Sequence, residues 1–308
     1  LTRSPLNLRT MAKTMIRIKI KSTQKISFSY LTLFPHLIRH YLSDALLHKA
    51  HEKGLLEFNV INLRDFSKNK YKSVDDTAYG GSDGMVIEMQ PLMDGLKLIK
   101  DQIPSGQRTQ VIYLSPQGQR CDHEKICELT SFDHLIFISG RYAGVDQRFI
   151  SEFVDQELSI GDYVLSGGEL PSLVLTESIS RQIPGVLGDQ KSAEQDSFSN
   201  ELKGLLESPQ FTKPQIFNGV AVPEILTSGH HQKILEWKKY LSILVTLQKR
   251  PELLENKTEI NWLMVNEYYK TISDVDKKTL NIQNLEDQLF LKTSTCSLTA
   301  KLKTKESK

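Results

Sequence analysis

The sequence is short of cysteine, of net charge and of long apolar runs. Three cysteines in 308 residues are an odd and sparse set, which indicates a reducing compartment without structural disulfides. No stretch of about 18 consecutive apolar residues occurs, so the sequence predicts no membrane-spanning helix. The formal net charge of +2 is too small to indicate a nucleic-acid partner, so any basic binding surface must be local.

Acidic residues are absent from the first 43 positions, which carry eight lysines or arginines. This pattern is typical of an organellar presequence, and equally of a reading frame translated upstream of its true start. Because the chain begins with Leu1, we favour the second interpretation and expect residues 1–24 to be a disordered basic extension. The expected location is the cytoplasm, or an organellar matrix if the extension is a presequence.

Residue types that bind metals cluster at Cys121, His123 and Cys127. Only His123 and Cys127 share a helical face, because they are separated by one turn. No second pair of ligands has the spacing of a zinc site. The sequence therefore predicts no metal site here.

Short apolar strands alternate with amphipathic helices from Lys25 onward. Such alternation predicts an α/β fold with a parallel sheet covered on both faces. We expect strands over residues 26–34, 55–63, 110–115 and 134–139. A helix over residues 37–53, a long loop over 64–84 and a helix over 172–183 complete this part of the chain.

Three turns rich in glycine or proline follow predicted strands, at Ser115–Gly118, Gly140–Gly144 and Ser159–Pro171. In parallel sheets of this kind, ligands bind beyond the carboxyl ends of the strands. All three turns fall at those ends, so the sequence predicts a pocket on one rim of the sheet.

The third turn, Ser159-Ile-Gly-Asp-Tyr-Val-Leu-Ser-Gly-Gly-Glu-Leu-Pro, is the most informative segment. Its glycines let a ligand approach the main chain, while Tyr163 and Leu165 offer flat apolar surface. No lysine follows the glycines, so the segment is not a phosphate-binding loop of the Gly-x-x-x-x-Gly-Lys type. It is suited to a neutral heterocycle such as adenine.

The chain changes character after the helix over residues 172–183. A polar stretch over 188–203 is expected to be a flexible linker. A helix over 232–248, N-capped by Ser228 and carrying Leu235 and Trp237 on its apolar face, follows with several lysines. Another helix is expected over 259–270. We therefore expect a first domain over residues 25–187, a helical domain over 204–275 and a C-terminal tail over 276–308.

Ordered motifs along most of the chain match one known family. They are Leu33-Phe-Pro, Val74-Asp-Asp, Tyr79-Gly-Gly, Tyr113-Leu-Ser-Pro-Gln-Gly, Gly140-Arg-Tyr, the whole Ser159–Pro171 turn, Ser180-Arg, Ile183-Pro-Gly-Val-Leu-Gly, Asp196-Ser-Phe and Arg250-Pro-Glu-Leu-Leu. With these motifs the chain resembles the bacterial tRNA (guanine-N1)-methyltransferases, a TrmD-like family of the SPOUT class.

The resemblance implies a SPOUT-type α/β fold whose parallel sheet carries a deep trefoil knot, plus a small C-terminal helical domain. It also implies a homodimer with its active sites at the interface. The implied activity transfers a methyl group from S-adenosylmethionine to N1 of guanine 37 of tRNA, next to the anticodon, which supports reading-frame maintenance. The lysines of the helical domain are expected to contact tRNA phosphates.

The resemblance also implies roles for individual residues. Asp196 is expected to remove the N1 proton, and Arg181 to donate to O6 of the guanine. Asp75 and Gly84 are expected to contact bases of the anticodon loop. The implied cofactor-binding residues are Tyr113, Leu114, Ser115, Pro116, Gly140, Tyr142, Ile160, Gly161, Asp162, Tyr163, Val164, Leu165, Gly167, Gly168 and Pro171.

Two positions depart from the family pattern. Ala143 stands where the family usually has a glutamate that helps to anchor the methionine end of the cofactor and can hold a magnesium ion, so Mg²⁺ stays a possible cofactor but both its requirement and a high cofactor affinity are less expected here. Ser82-Asp83 replaces the usual Gly-Pro before Gly84.

Two alternative functions are left open by the sequence: a non-catalytic SPOUT-fold RNA-binding protein, and a tRNA ribose 2′-O-methyltransferase.

Overall fold

The computed structural model describes residues 25–43, 45–81 and 84–303, without the side chains of 190–192 and 295–303. The expected extension over 1–24, the Ser82-Asp83 pair and the end of the expected tail at 304–308 lie outside the described residues. The chain divides into two compact units between Gly188 and Asp189. Within the described range, no helix combines the length and apolar character needed to cross a membrane.

Strands and helices alternate along the first unit. Its strands are β1 (Ile26–Thr32), β2 (Leu56–Asn62), β3 (Asp75–Thr77), β4 (Met85–Ile87), β5 (Thr109–Arg120), β6 (His134–Ser139) and β7 (Gln156–Ser159). Its helices are α1 (Pro35–Leu42), α2 (Ala45–Glu52), α3 (Met89–Gln102), α4 (His123–Leu129), α5 (Gln147–Phe153) and α6 (Glu169–Arg181). Parallel pairing joins the longer strands into a five-stranded sheet in the order β2-β1-β6-β5-β7. The predicted α/β fold with a parallel sheet is confirmed.

Every residue of β1 is buried, including the serines that alternate with its apolar residues. Phe28 and Tyr30 pack into a core with α1, α2 and α6, whereas Leu31 belongs to a second core with α3 and α5. The hydroxyl of Ser29 remains hydrogen-bonded because its Oγ lies 2.9 Å from Nε2 of His134 on β6. Helices therefore cover this strand on both faces of the sheet.

Two segments of the first unit differ from the sequence-based expectation. The helix expected over residues 37–53 is two helices, because Ala45 at the start of α2 has a φ of 51°, which a continuous right-handed helix does not allow. The loop expected over 64–84 contains β3, which pairs antiparallel with β4 and places Asp76 opposite Val86. The polar composition concealed this hairpin because its apolar strand begins only after the expected loop ends.

Strand β5 continues through the turn expected at residues 115–118. Its pairing with β7 shifts there, so that Leu114 and Gln119 both lie opposite Leu158. Such an irregularity accommodates Pro116, which has no N–H for a regular ladder. The expected turn is therefore a bulged segment within a longer strand.

Helix α6 begins at Glu169, before the expected start at Ser172. Proline is tolerated in the first turn of a helix, where its missing N–H has no intrahelical acceptor, so Pro171 does not mark the boundary. The earlier start places the N-terminus of the helix directly after Gly168.

The second unit is mainly helical. It contains α7 (Gln190–Gln195), α8 (Glu224–Thr227), α9 (His231–Lys249), α10 (Trp262–Thr271), α11 (Asp274–Thr279), α12 (Glu286–Lys303) and a short hairpin of β8 (Ile216–Phe217) with β9 (Val220–Ala221). Its core includes Leu280, Ile282, Leu285 and Leu289, packed with residues of α9 and α10. The burial of these four residues corrects the expected start of the tail at residue 276.

The start of α9 also differs from the expectation. Ser228 does not cap this helix; its Oγ donates to the Ile225 carbonyl at 2.8 Å and accepts from the His230 N–H at 3.3 Å. The hydroxyl therefore closes the preceding turn. Trp237 is buried as expected, whereas Leu235 lies on the exposed side.

The buried His134 should make stability depend on pH. Burial lowers the pKa of its imidazole from the ordinary 6.5, although Glu57 opposes this shift. The unfolded chain then binds more protons, so the contribution is complete above about pH 6.5 and is lost as the pH falls toward the lower folded pKa. We expect His134→Gln to flatten the pH dependence of thermal unfolding between about pH 5 and 7.

The matched control is His40→Gln, which changes an exposed histidine of α1. Calorimetry that gave the same pH slope for His134→Gln as for the unmodified protein would contradict this assignment.

Candidate active site

Three segments converge on one rim of the sheet: the bulged part of β5 and the turns that follow β6 and β7. They enclose a cavity of about 350 Å³. Every cofactor-binding residue expected from the sequence lines this cavity except Asp162. The cavity is also lined by Gln117, Arg141, Ala143, Gly144, Ser159 and Ser166, which lie within the three predicted turns but were not expected to bind the cofactor, and by Leu158, which the sequence did not indicate.

Two glycines let the second and third turns pack closely. A Cβ at Gly140 would lie 2.8 Å from the hydroxyl oxygen of Tyr113. A Cβ at Gly168 would lie 2.8 Å from the Cα of Ser139, a backbone atom that cannot move aside locally. The backbone of Gly168 can therefore pack directly on the end of β6, and that of Gly140 on the ring of Tyr113.

Hydrogen bonds join these turns across the cavity wall. The Gly168 N–H donates to the Gly140 carbonyl at 2.9 Å, and Arg141 forms an antiparallel bridge with Gly167. Between these contacts Tyr142 adopts a left-handed φ of 58°, an uncommon conformation for a residue with a side chain. The surrounding contacts hold this strained turn in one shape.

The open side of the cavity is aromatic and apolar. Tyr142, Tyr163, Val164 and Leu165 all keep a large exposed surface at its edge. Exposed apolar groups around a concave site are typical of a surface that binds a flat apolar group.

Tyr113 supplies a neutral hydroxyl in the wall of the cavity. Burial raises the pKa of Tyr113 to about 12, the negative charge of Glu157 adds to that shift, and a hydrogen bond with the Val145 backbone opposes it. The phenol therefore stays protonated at neutral pH and retains its donor.

The hairpin of β3 and β4 is attached to the same rim. The Ala143 N–H donates to the Met85 carbonyl at 2.9 Å, and the Ile87 N–H donates to the Gly144 carbonyl at 3.0 Å. Asp75 lies on β3 opposite Ile87. Gly84 has a φ of 101°, and a Cβ there would lie 3.6 Å from that of Ala143. Both residues expected to contact RNA are thus on a hairpin bonded to the cavity wall.

The two residues expected to be catalytic belong to different units. Arg181 is the last residue of α6 in the first unit and is partly buried. Asp196 follows α7 in the second unit, where its carbonyl accepts the Ser199 N–H at 3.1 Å. The short helix α7 lies inside the segment expected to be a flexible linker.

The described residues offer no group of three or more histidine, cysteine or acidic side chains placed to hold a metal ion. Cys127 Sγ lies 3.4 Å from Nε2 of His123. Burial raises the pKa of Cys121 to about 11 and also raises that of Cys127. Both sulfurs are therefore protonated at neutral pH, and neither is an activated nucleophile.

A family match to this chain spans all the candidate site residues described above. The sequence model of the family described as tRNA (Guanine-1)-methyltransferase TrmD matches residues 26–256. The chain belongs to this family. The match includes the three turns, the hairpin, Arg181 and Asp196, whereas α10, α11 and α12 lie beyond it.

Bacterial relatives of the tRNA (guanine-1)-methyltransferase family align over most of their length. A protein of Shewanella woodyi named tRNA (guanine-N(1)-)-methyltransferase is 49% identical over 225 residues, which is 73% of this chain and 89% of the relative. Proteins with the same name from Aeromonas hydrophila and Ruminiclostridium cellulolyticum are each 44% identical. These two alignments cover 79% and 77% of this chain, and 97% and 100% of the relatives.

Proposed function

We propose that this protein transfers a methyl group from S-adenosylmethionine to N1 of guanine 37 of tRNA, in the cytoplasm. The main observation in support of this proposal is the glycine-walled cavity. All of its lining residues lie within the range that the tRNA (guanine-1)-methyltransferase family model matches. The names of the bacterial relatives support both the substrate and the atom that is methylated.

The cavity fits the adenosine part of the cofactor. Its wall is formed by backbone at Gly140 and Gly168, while Tyr163 and Leu165 flank its open side. Such a site binds a neutral ring through backbone hydrogen bonds at the edge and apolar contact at the face. The bound cofactor supplies an electrophilic methyl group on a sulfonium; the residues of the chain position it and manage the proton of the guanine.

Asp196 and Arg181 carry out the proton chemistry. Guanine N1 is a poor nucleophile until it loses its proton, and negative charge then develops on O6. Asp196 accepts the proton as a general base, while the guanidinium of Arg181 stabilises the developing charge on O6. Binding of the correct tRNA base brings the Asp196 carboxylate to guanine N1 and completes the site, so the correct base promotes its own reaction.

We propose that the first unit carries a deep trefoil knot, with the bulge of β5 packed closely against β7. A Cβ at Gly118 would lie 2.5 Å from the carbonyl carbon of Glu157, so β5 and β7 pass with no room for a side chain. Threaded connections are very rare in proteins, and family membership is the reason to propose one here.

The active form is a homodimer that uses a defined apolar face. Leu37 and Tyr41 on α1 are 43% and 47% exposed, and Leu170 and Val174 on α6 are 61% and 47% exposed. The two helices are adjacent, because Tyr41 interacts with Glu177 of α6. This face continues to the cavity, since Leu170 precedes the lining residue Pro171. A second copy docked here would lie beside the cofactor site.

Methyl transfer to tRNA transcripts tests the proposed function. We expect labelled S-adenosylmethionine to modify a transcript with G at position 37 and to leave the matched A37 transcript unmodified. Mass spectrometry should locate the methyl group on guanine N1. Absence of transfer would indicate a non-catalytic RNA-binding protein, and a methyl group on a ribose 2′-oxygen would indicate the other enzyme class.

Replacement of Asp196 tests the general base. We expect Asp196→Ala to lower the single-turnover methylation rate by about 10²- to 10⁴-fold, because water must then remove the N1 proton of the guanine. Cofactor binding measured by calorimetry should stay unchanged. A methylation rate close to that of the unmodified protein would remove Asp196 from the mechanism.

A charge placed on the apolar face tests the homodimer. We expect Val174→Lys to shift the protein from dimer to monomer in light scattering, because dimerisation would bury an unpaired ammonium group. Leu98→Lys on α3 is the matched control, since Leu98 is a comparably exposed leucine on another helix. A Val174→Lys protein that stays dimeric would exclude this face as the interface.

A further inference from the structure

A buried carboxylate lies directly behind the cavity of the first unit. Glu169, the first residue of α6, is 1% exposed. Its Oε1 accepts the Thr32 hydroxyl at 2.7 Å, and its Oε2 accepts Nε–H of Arg141 at 2.9 Å. Both oxygens of the carboxylate therefore have partners, which a charge at this depth requires.

These contacts close into a ring. The Thr32 hydroxyl oxygen also accepts the Phe34 N–H at 2.9 Å, and the guanidinium carbon of Arg141 lies 4.3 Å from the centre of the Phe34 ring. Nη1 of Arg141 donates to the Ser166 carbonyl at 3.3 Å. One side chain thus joins the end of β1, the second turn and the third turn.

Arginine is suited to this role because its fork reaches several acceptors in fixed directions. Nε and Nη1 of Arg141 are directed to two different partners, the Glu169 carboxylate and the Ser166 carbonyl. The space is tight, because a Cβ at Gly167 would lie 2.6 Å from Oε2 of Glu169. A lysine would keep the charge but could not make both contacts in this geometry.

We propose that Arg141 and Glu169 are positioning residues that hold the second and third turns at the spacing that the cofactor requires. Arg141 lines the cavity, but its guanidinium forms an ion pair with the Glu169 carboxylate. The ion pair therefore preforms the cavity and takes no part in methyl transfer. Without it, only a fraction of molecules has the binding geometry, and the apparent dissociation constant rises by the inverse of that fraction.

Calorimetric titration with S-adenosylhomocysteine tests this inference, which rests on the proposed function. We expect Arg141→Lys and Glu169→Gln each to raise the dissociation constant at least about tenfold. At saturating cofactor, kcat should stay within about threefold of the unmodified protein, so that the effect is on KM. Arg148→Lys, a matched change in an exposed ion pair with Asp146, should leave the dissociation constant unchanged.

The outcomes separate the two proposals. If the unmodified protein does not bind S-adenosylhomocysteine, the proposed function fails. If it binds and both variants bind equally tightly, the positioning role is wrong. A purely structural role would lower the melting temperature and the folded fraction while the folded protein kept its affinity, and that result would also overturn the inference. Glu169→Gln preserves side-chain shape and serves as the test if Arg141→Lys does not fold.

Discussion

The close approach of two backbone turns, at Gly140 and Gly168, determines the form of the candidate active site. The N–H of one glycine donates to the carbonyl of the other at 2.9 Å, and neither position has room for a Cβ. The contact joins the end of β6 to the start of α6. Main-chain packing therefore brings the two turns together, while side chains such as Tyr113 and Arg141 complete the wall.

The sheet beneath this rim is held by two separate cores, one on each face. Polar side chains within it are paired in specific ways: Ser29 with His134, Tyr30 with Thr176, and Thr32 with Glu169. Because each pair joins β1 to another element, these bonds fix the position and orientation of this buried strand. The Thr32–Glu169 bond extends that order to the wall of the cavity.

The alternation of strands and helices made the α/β fold and the pocket rim predictable, because glycine-rich turns after parallel strands face one edge. The bulge at Pro116 was not predictable, since it depends on pairing with the distant strand β7. Arg141 was missed for a similar reason: its partner Glu169 is far away in the sequence, and only the fold shows the ion pair. Family resemblance, and not periodicity, singled out Arg181 and Asp196. The role of Leu280 and Leu289 in the second core was hidden by the polar residues around them.

Ala143 contributes no charge to the wall of the cavity. No aspartate or glutamate side chain is among the described residues that line it, and the charge of Arg141 is neutralised by Glu169. A nearly neutral wall suits an uncharged ring better than an ion. Affinity must then come mainly from shape, backbone hydrogen bonds and apolar contact, which require the turns to be held accurately. In a cavity without a lining carboxylate, the rigid spacing of Gly140 and Gly168 is therefore the main constraint on a bound ligand.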